Sequence, residues 1–203
     1  MEKQITLVIV DFQKDFYDSA GELPVLNADK ALWAITDLFS RGVVKDVIFT
    51  VDWHPLNHCS FKKNGGQWPM HCLQYSEGAA IHPVLLGSCV YNGIPYQIYR
   101  KGEYAEEEEY GAFPLIVTVP LIESASDRNH VQHVLHNFRN QVVCSESANL
   151  VVCGLAGDYC VLETYKNLLR LNPKLYLPGI ASIDGGTRLK TYAKETEAPL
   201  FKL

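Results

Sequence analysis

The sequence has no CxxC pair, no apolar run long enough to cross a membrane, no Lys/Arg-rich stripe and no internal repeat. Each absence removes a class of function. Six cysteines stand apart, at positions 59, 72, 89, 144, 153 and 160, so a structural zinc site caged by cysteines is not expected. The first apolar run, Ile5 to Val10, ends at Asp11, short of a signal-peptide core or a membrane span. With 18 basic against 23 acidic residues and a formal net charge of -5, the chain has no surface built to neutralise phosphates. Neither a membrane nor nucleic acid is therefore an expected partner. The expected compartment is the cytoplasm, where thiols stay reduced, and Cys89, Cys144 and Cys153 read as small buried hydrophobes.

What is present is the pattern of an α/β protein. At 203 residues and 47% apolar, the chain suits one domain spanning 1–203 with a sizeable core. Continuous apolar runs at 5–10, 46–51 and 149–155, and a shorter one at 96–99, predict parallel strands covered on both faces. Between the first two, Leu32, Ile35, Leu38 and Phe39 fall at helical spacing and Gly42 ends the helix. After Gly157, Asp158 can cap a helix running to Pro173. The run 175–183, broken by Pro178 and Gly179, predicts an edge strand. Strand and helix alternate, which gives a doubly wound, three-layer α/β/α sandwich around a mostly parallel sheet. The acidic run Glu106 to Glu109 reads as a solvated segment. Residues 113–150 are harder to read: an apolar stretch and the His-rich N-H-V-Q-H-V-L-H-N-F are compatible with strand and helix or with a packing arm.

Ligands of open parallel sheets bind beyond the carboxyl ends of the strands. Asp11 ends the first strand, Asp52 the second, Lys101 follows the 96–99 run, and Cys160 follows the 149–155 run. An acid, a second acid, an amine and a thiol at equivalent strand ends should converge on one crevice. In a first helical turn, free N–H groups favour a thiolate at Cys160 and can hold an oxyanion. Asp11 and Lys101 supply a base and a cation. Taken singly, Cys160 reads equally well as a structural thiol, Asp11 as a cap and Lys101 as a surface lysine. Asp52 and His54 lie two apart on an extended segment and face one side. With His71 from W-P-M-H-C they form a ligand set suited to zinc or iron, and His58 is a fourth ligand or a supporting partner.

Together, D-F-Q-x-D-F (11–16), D-W-H-P-x-N-H-x-S-F (52–61), W-P-x-H-C (68–72), K-G (101–102) and G-L-A-x-D-Y-C-V (154–161) resemble the nicotinamidase/pyrazinamidase branch of the isochorismatase-like cysteine hydrolases. The resemblance spans roughly residues 5–113 and 149–184. It implies a triad of Asp11, Lys101 and Cys160, and a divalent metal held by Asp52, His54 and His71, zinc first, with Fe²⁺ or Mn²⁺ as alternatives. It also implies an oxyanion hole from the N–H groups of Ala156 and Cys160, with a cis peptide before Ala156. Phe16, Trp68 and Tyr110 match aromatic positions that enclose a pyridine ring. The implied substrate is nicotinamide, hydrolysed to nicotinic acid and ammonia through a thioester. Another small amide on the same mechanism, or a non-catalytic metal or ligand binder on the same scaffold, are the alternatives. Assembly into a homo-oligomer is left open. Three features depart from the family pattern: Gly157 where Thr is usual, Gly111 where Ser is common, and no acidic ligand in F-K-K-N-G-G (61–66).

Overall fold

Strand β1 (Ile5–Val10) is apolar along its whole length and every residue is buried, because it runs through the middle of the sheet with a neighbour on each side. The computed structural model describes residues 4–120, 131–136, 140–145 and 148–203. Within them, β2 (Val44–Asp52), β3 (Tyr96–Lys101), β7 (Leu150–Gly154) and β8 (Lys174–Ile180) join β1 in a five-stranded parallel sheet of order β3-β2-β1-β7-β8. The order turns back on either side of β1, which is the doubly wound topology expected from the alternation of elements. β8 lies at the edge, where Pro178 costs no sheet hydrogen bond.

One face is covered by α2 (Ala28–Ser40), which follows the one-turn α1 (Lys14–Tyr17) and whose Ala31, Ile35, Leu38 and Phe39 pack on Ile5, Leu7, Ile9 and Val47. α3 (Pro83–Asn92) joins it, started by Pro83 and ended by Gly93 at φ +62°. On the other face, α4 (Leu162–Asn167) and α5 (Thr187–Glu195) share the covering with a second sheet. That second sheet is antiparallel: β4 (Leu115–Pro120), β5 (Val131–His136) and β6 (Gln141–Ser145). Within 113–150 the regular structure is thus strand, with no helix among the described residues. Residues 121–130 and 137–139, which include part of the His-rich segment, lie outside the described residues. Phe113, Leu135, Val142 and Cys144 bury against Val8, Ile48, Tyr99 and Val152. The Gln97 amide ties the sheets together, accepting from Val143 N at 3.0 Å and donating to Val143 O at 2.9 Å.

The segment after β7 differs from the single helix expected over 158–173. It opens as a wide π-helical turn over Gly157–Val161, continues as α4 and closes with a 3-10 turn at Leu169–Leu171. Asp158 does not cap its own turn. Its buried carboxylate accepts from Gly186 N at 3.1 Å and Leu189 N at 2.9 Å, so it caps α5, whose own leading residue, Gly186, has no side chain to offer. Asp158→Ala should therefore orphan both N–H groups and lower stability by about 1–3 kcal/mol, read as a shift in the urea midpoint at unchanged slope.

Candidate active site and metal site

Parallel pairing sets the strand ends side by side. Val10 is paired with Thr50 and with Gly154, and Asp52 with Lys101, so the residues just past these pairs enter one crevice. Gly154 permits the closeness: at φ +117°, a Cβ there would stand 2.1 Å from Val10 O.

At the centre is the Lys101 ammonium, fully buried. It lies 2.8 Å from Asp11 Oδ2, pairs with Asp52 Oδ1, and donates to Cys160 Sγ at 3.5 Å and to Glu109 O at 3.3 Å. The other Asp11 oxygen accepts from Thr50 Oγ1 at 2.6 Å. Burial pushes the Lys101 ammonium toward neutrality, but Asp11 and Asp52 outweigh it and hold the proton on. Burial pushes the Asp52 carboxyl up, yet Lys101 and His54 prevail and keep it well below the carboxylate range. Asp11 goes the other way: burial raises it beyond what Lys101 recovers, so it is the more basic carboxylate. Burial also pushes the Cys160 thiol well up, with Lys101 pulling it down and Asp11 pushing it further up. Burial thus opposes the thiolate that the helix-start position and Lys101 favour.

Asp52 also faces two imidazoles. Carbonyl oxygens can only accept, so His54 Nδ1–H donates to Gly102 O at 2.9 Å and His71 Nδ1–H to Pro69 O at 2.8 Å. Each ring then presents Nε2 to Asp52 Oδ2, at 3.6 and 3.9 Å. Burial pushes His54 down but the Asp52 carboxylate more than restores it; at His71 burial prevails over Asp52. The three donors lie within 4.8 Å of one another, a carboxylate and two imidazole lone pairs that fit a divalent cation with positions left open. Gly102 is part of this geometry: its φ is +62°, and a Cβ would meet His54 Cε1 at 2.3 Å. His58 is not a third imidazole donor. Its Nε2–H donates to Glu107 O at 3.0 Å, its Nδ1 accepts from Ser60 Oγ at 2.7 Å, and its ring lies 4.0 Å from that of His54. Burial and His54 push it down to about 4.

Cys160, Asp52 and His71 form the wall of a cavity of about 20 Å³ that is also lined by Phe16, Trp68, Glu108, Tyr110, Ala156 and Tyr159. Trp68 Nε1 donates to Tyr110 Oη at 2.9 Å, and Tyr159 meets the Trp68 ring edge-on at 5.1 Å. Phe16 lies 5.4 Å from the His71 ring. The Leu155–Ala156 peptide is cis, as the resemblance implied.

No family model matches the chain. Among curated proteins, the nicotinamidase of Escherichia coli K12 is 31% identical over 188 residues, covering 83% of this chain and 78% of that one. The chain belongs to the nicotinamidase branch of the isochorismatase-like hydrolases. As a member of that family it is an enzyme of amide hydrolysis. Among solved structures, the L. infantum protein PnC1 in complex with nicotinate is 27% identical with a TM-score of 0.72, over 98% of this chain and 93% of that one. A pyrazinamidase of Pyrococcus horikoshii in complex with zinc shares the fold, at 21% identity and a TM-score of 0.66 over 98% of this chain and 99% of that one. No helix among the described residues is long and apolar enough to cross a membrane.

The family motifs read in the sequence meet at this crevice. Sequence reasoning left out two kinds of residue. The run Glu106 to Glu109 is solvated as read, with Glu106, Glu107 and Glu108 exposed and Glu109 half-buried, but it also reaches the site: Glu108 lines the cavity, and Glu109 accepts from Gly102 N at 2.8 Å and from Lys101 through its carbonyl. Gln13 and Asp15, within a quoted motif, had no role assigned. The two glycine departures are matched by their neighbours: a Cβ at Gly157 would stand 2.1 Å from Ser182 Oγ, and one at Gly111 2.7 Å from Asn167 Nδ2. Removing the central cation by Lys101→Met leaves two buried carboxylates facing each other. The expected loss is about 3–5 kcal/mol of folding free energy, measurable by urea unfolding of the metal-free protein.

Proposed function

We propose that this enzyme hydrolyses nicotinamide to nicotinic acid and ammonia, with Cys160 as nucleophile, Asp11 as general base and acid, and Lys101 as the cation that steadies both. The observation that carries the reading is the buried Lys101 ammonium, in contact with the Asp11 carboxylate and with the sulfur of Cys160, which lines a cavity walled by aromatic rings. Asp11, its carboxyl raised by burial, is suited to take the thiol proton as sulfur attacks the amide carbon. The N–H groups of Ala156 and Cys160 would hold the oxyanion. Asp11 would then return the proton to the departing nitrogen, ammonia would leave, and a thioester would remain. Water, deprotonated by Asp11, would attack that thioester, release nicotinic acid and restore the thiol.

Asp52, His54 and His71 would hold a divalent ion, zinc first and Fe²⁺ or Mn²⁺ next, through one carboxylate oxygen and two Nε2 atoms. When bound, the ion supplies a Lewis-acid position for the pyridine nitrogen. The nicotinate bound by the L. infantum relative and the zinc of the P. horikoshii protein are consistent with this assignment. Phe16, Trp68 and Tyr110 would enclose the ring. As it stands, the cavity of about 20 Å³ holds about one water molecule. The six free cysteines are in keeping with a cytoplasmic enzyme, and we take residues 1–203 as one working domain.

An ammonia-release assay tests the reading. Nicotinamide should be turned over, benzamide, which has no ring nitrogen, far less, and a chelator should abolish the difference together with the activity. Cys160→Ala should release no ammonia while retaining its metal content. Normal turnover in that variant, or equal turnover of benzamide, would show the assignment to be wrong.

A further inference from the structure

The turn after β1 carries buried polar side chains at alternate positions: Asp11, Gln13 and Asp15. Asp11 touches the reacting groups. Gln13 and Asp15 do not, and both face main chain that belongs to the metal-ligand segments.

Gln13 is fully buried, and its amide is engaged at both ends. Asp52 N donates to Oε1 at 2.7 Å, while Nε2 donates to Asp52 O at 2.8 Å and to Ala79 O at 3.0 Å. The ladder between β1 and β2 ends at Val10 and Thr50, with Asp11 N donating to Thr50 O at 3.1 Å. The Gln13 side chain extends that ladder past the end of the strand, offering Asp52 a donor and an acceptor where β1 no longer can. With β3 paired on its other side, Asp52 is held from both edges.

Asp15 acts on the loop that bears His71. Cys72 N donates to its Oδ2 at 2.7 Å, and Glu22 N to its Oδ1 at 3.4 Å. Cys72 adopts φ +47°, follows His71 directly, and through its carbonyl accepts from His54 N at 3.0 Å. A carboxylate gripping Cys72 thus restrains both histidines. Asp15 is itself packed in place: a Cβ at residue 78 would stand 2.1 Å from its Oδ2, so Gly78 is the space that lets it lie there.

We infer that Gln13 and Asp15 are positioning residues for the divalent ion: Gln13 holds Asp52, and Asp15 holds His54 and His71 through Cys72. Because Asp11 lies on the same turn, the segment 11–16 fixes the base and the ion relative to each other. This inference rests on the metal reading above.

The test uses the full chain stripped of metal, with zinc affinity read by chelator competition, the visible absorption of the cobalt-loaded protein, and urea unfolding of the metal-free form. Gln13→Met and Asp15→Ala are expected to bind zinc about 10–100-fold more weakly and to alter the cobalt spectrum, while the metal-free proteins remain folded. Asp15→Asn, which keeps an acceptor for Cys72 N–H, should recover most of the affinity. Should Gln13→Met fail to fold, Gln13→Glu takes its place, since it can accept from Asp52 N but cannot donate to Asp52 O. Wild-type affinity and spectrum in a folded Gln13 variant and in Asp15→Ala would overturn the inference alone. Failure of the unmodified protein to bind zinc or cobalt would overturn the metal reading and this inference with it.

Discussion

The Lys101 ammonium is buried among two carboxylates, a thiol and a carbonyl, and the remainder of the site is arranged around that charge. An unpaired ammonium in the interior would lose its proton or unfold the chain. Here two aspartates compensate it, and they end up with different characters. Asp52, which also faces two imidazoles, is held as an anion fit to bind a cation. Asp11, desolvated by burial and bonded to Lys101 and Thr50 but to no imidazole, is pushed toward protonation and is fit to exchange a proton with the neighbouring sulfur. Two carboxylates of one residue type thereby acquire separate jobs from their surroundings alone.

This arrangement follows from the sheet. Parallel strands must all present their carboxyl ends on one side, so a chemically capable residue at each end is brought together without any long-range matching of side chains. Close approach of β7 to β1 needs the missing Cβ of Gly154, and the turn beyond Lys101 needs that of Gly102, over which the His54 ring lies. The same logic extends off the sheet. Gln13 continues a ladder with its side chain, and Asp15 reaches the Cys72 loop, so that residues from four separate segments share one frame.

The parts of this that could be read in the sequence are those carried by a local signal. Apolar runs ending in Asp11, Asp52 and Lys101, and a glycine-rich turn leading to Cys160, mark strand ends by themselves. His71 could be nominated only as a loop histidine, because its nearness to Asp52 depends on the Cys72 grip, which links residues 57 apart in sequence. Asp158 looked like a cap for the turn it begins, but the α5 N–H groups bonded to it lie 28 and 31 residues further on. α5 itself offered little signal, with Leu189 its only buried residue and no capping side chain of its own. The acidic run at 106–109 is solvated as it reads, but its contacts with the site are made largely by carbonyl oxygens and by one carboxylate on Gly102 N, which residue type does not reveal. The layer over 113–150 was ambiguous for another reason: its β-strands cover one face of another sheet, and short apolar runs of that kind suit strand and helix alike.

The proposed chemistry requires that sulfur be the atom to which the amide carbon bonds. Rapid acid quench of the enzyme during nicotinamide turnover, followed by digestion and mass spectrometry, looks at that bond directly. The peptide carrying Cys160 should gain the mass of a nicotinoyl group, and ammonia should appear before nicotinic acid. Steady turnover with no such adduct, or with the adduct on another of the six cysteines, would contradict it.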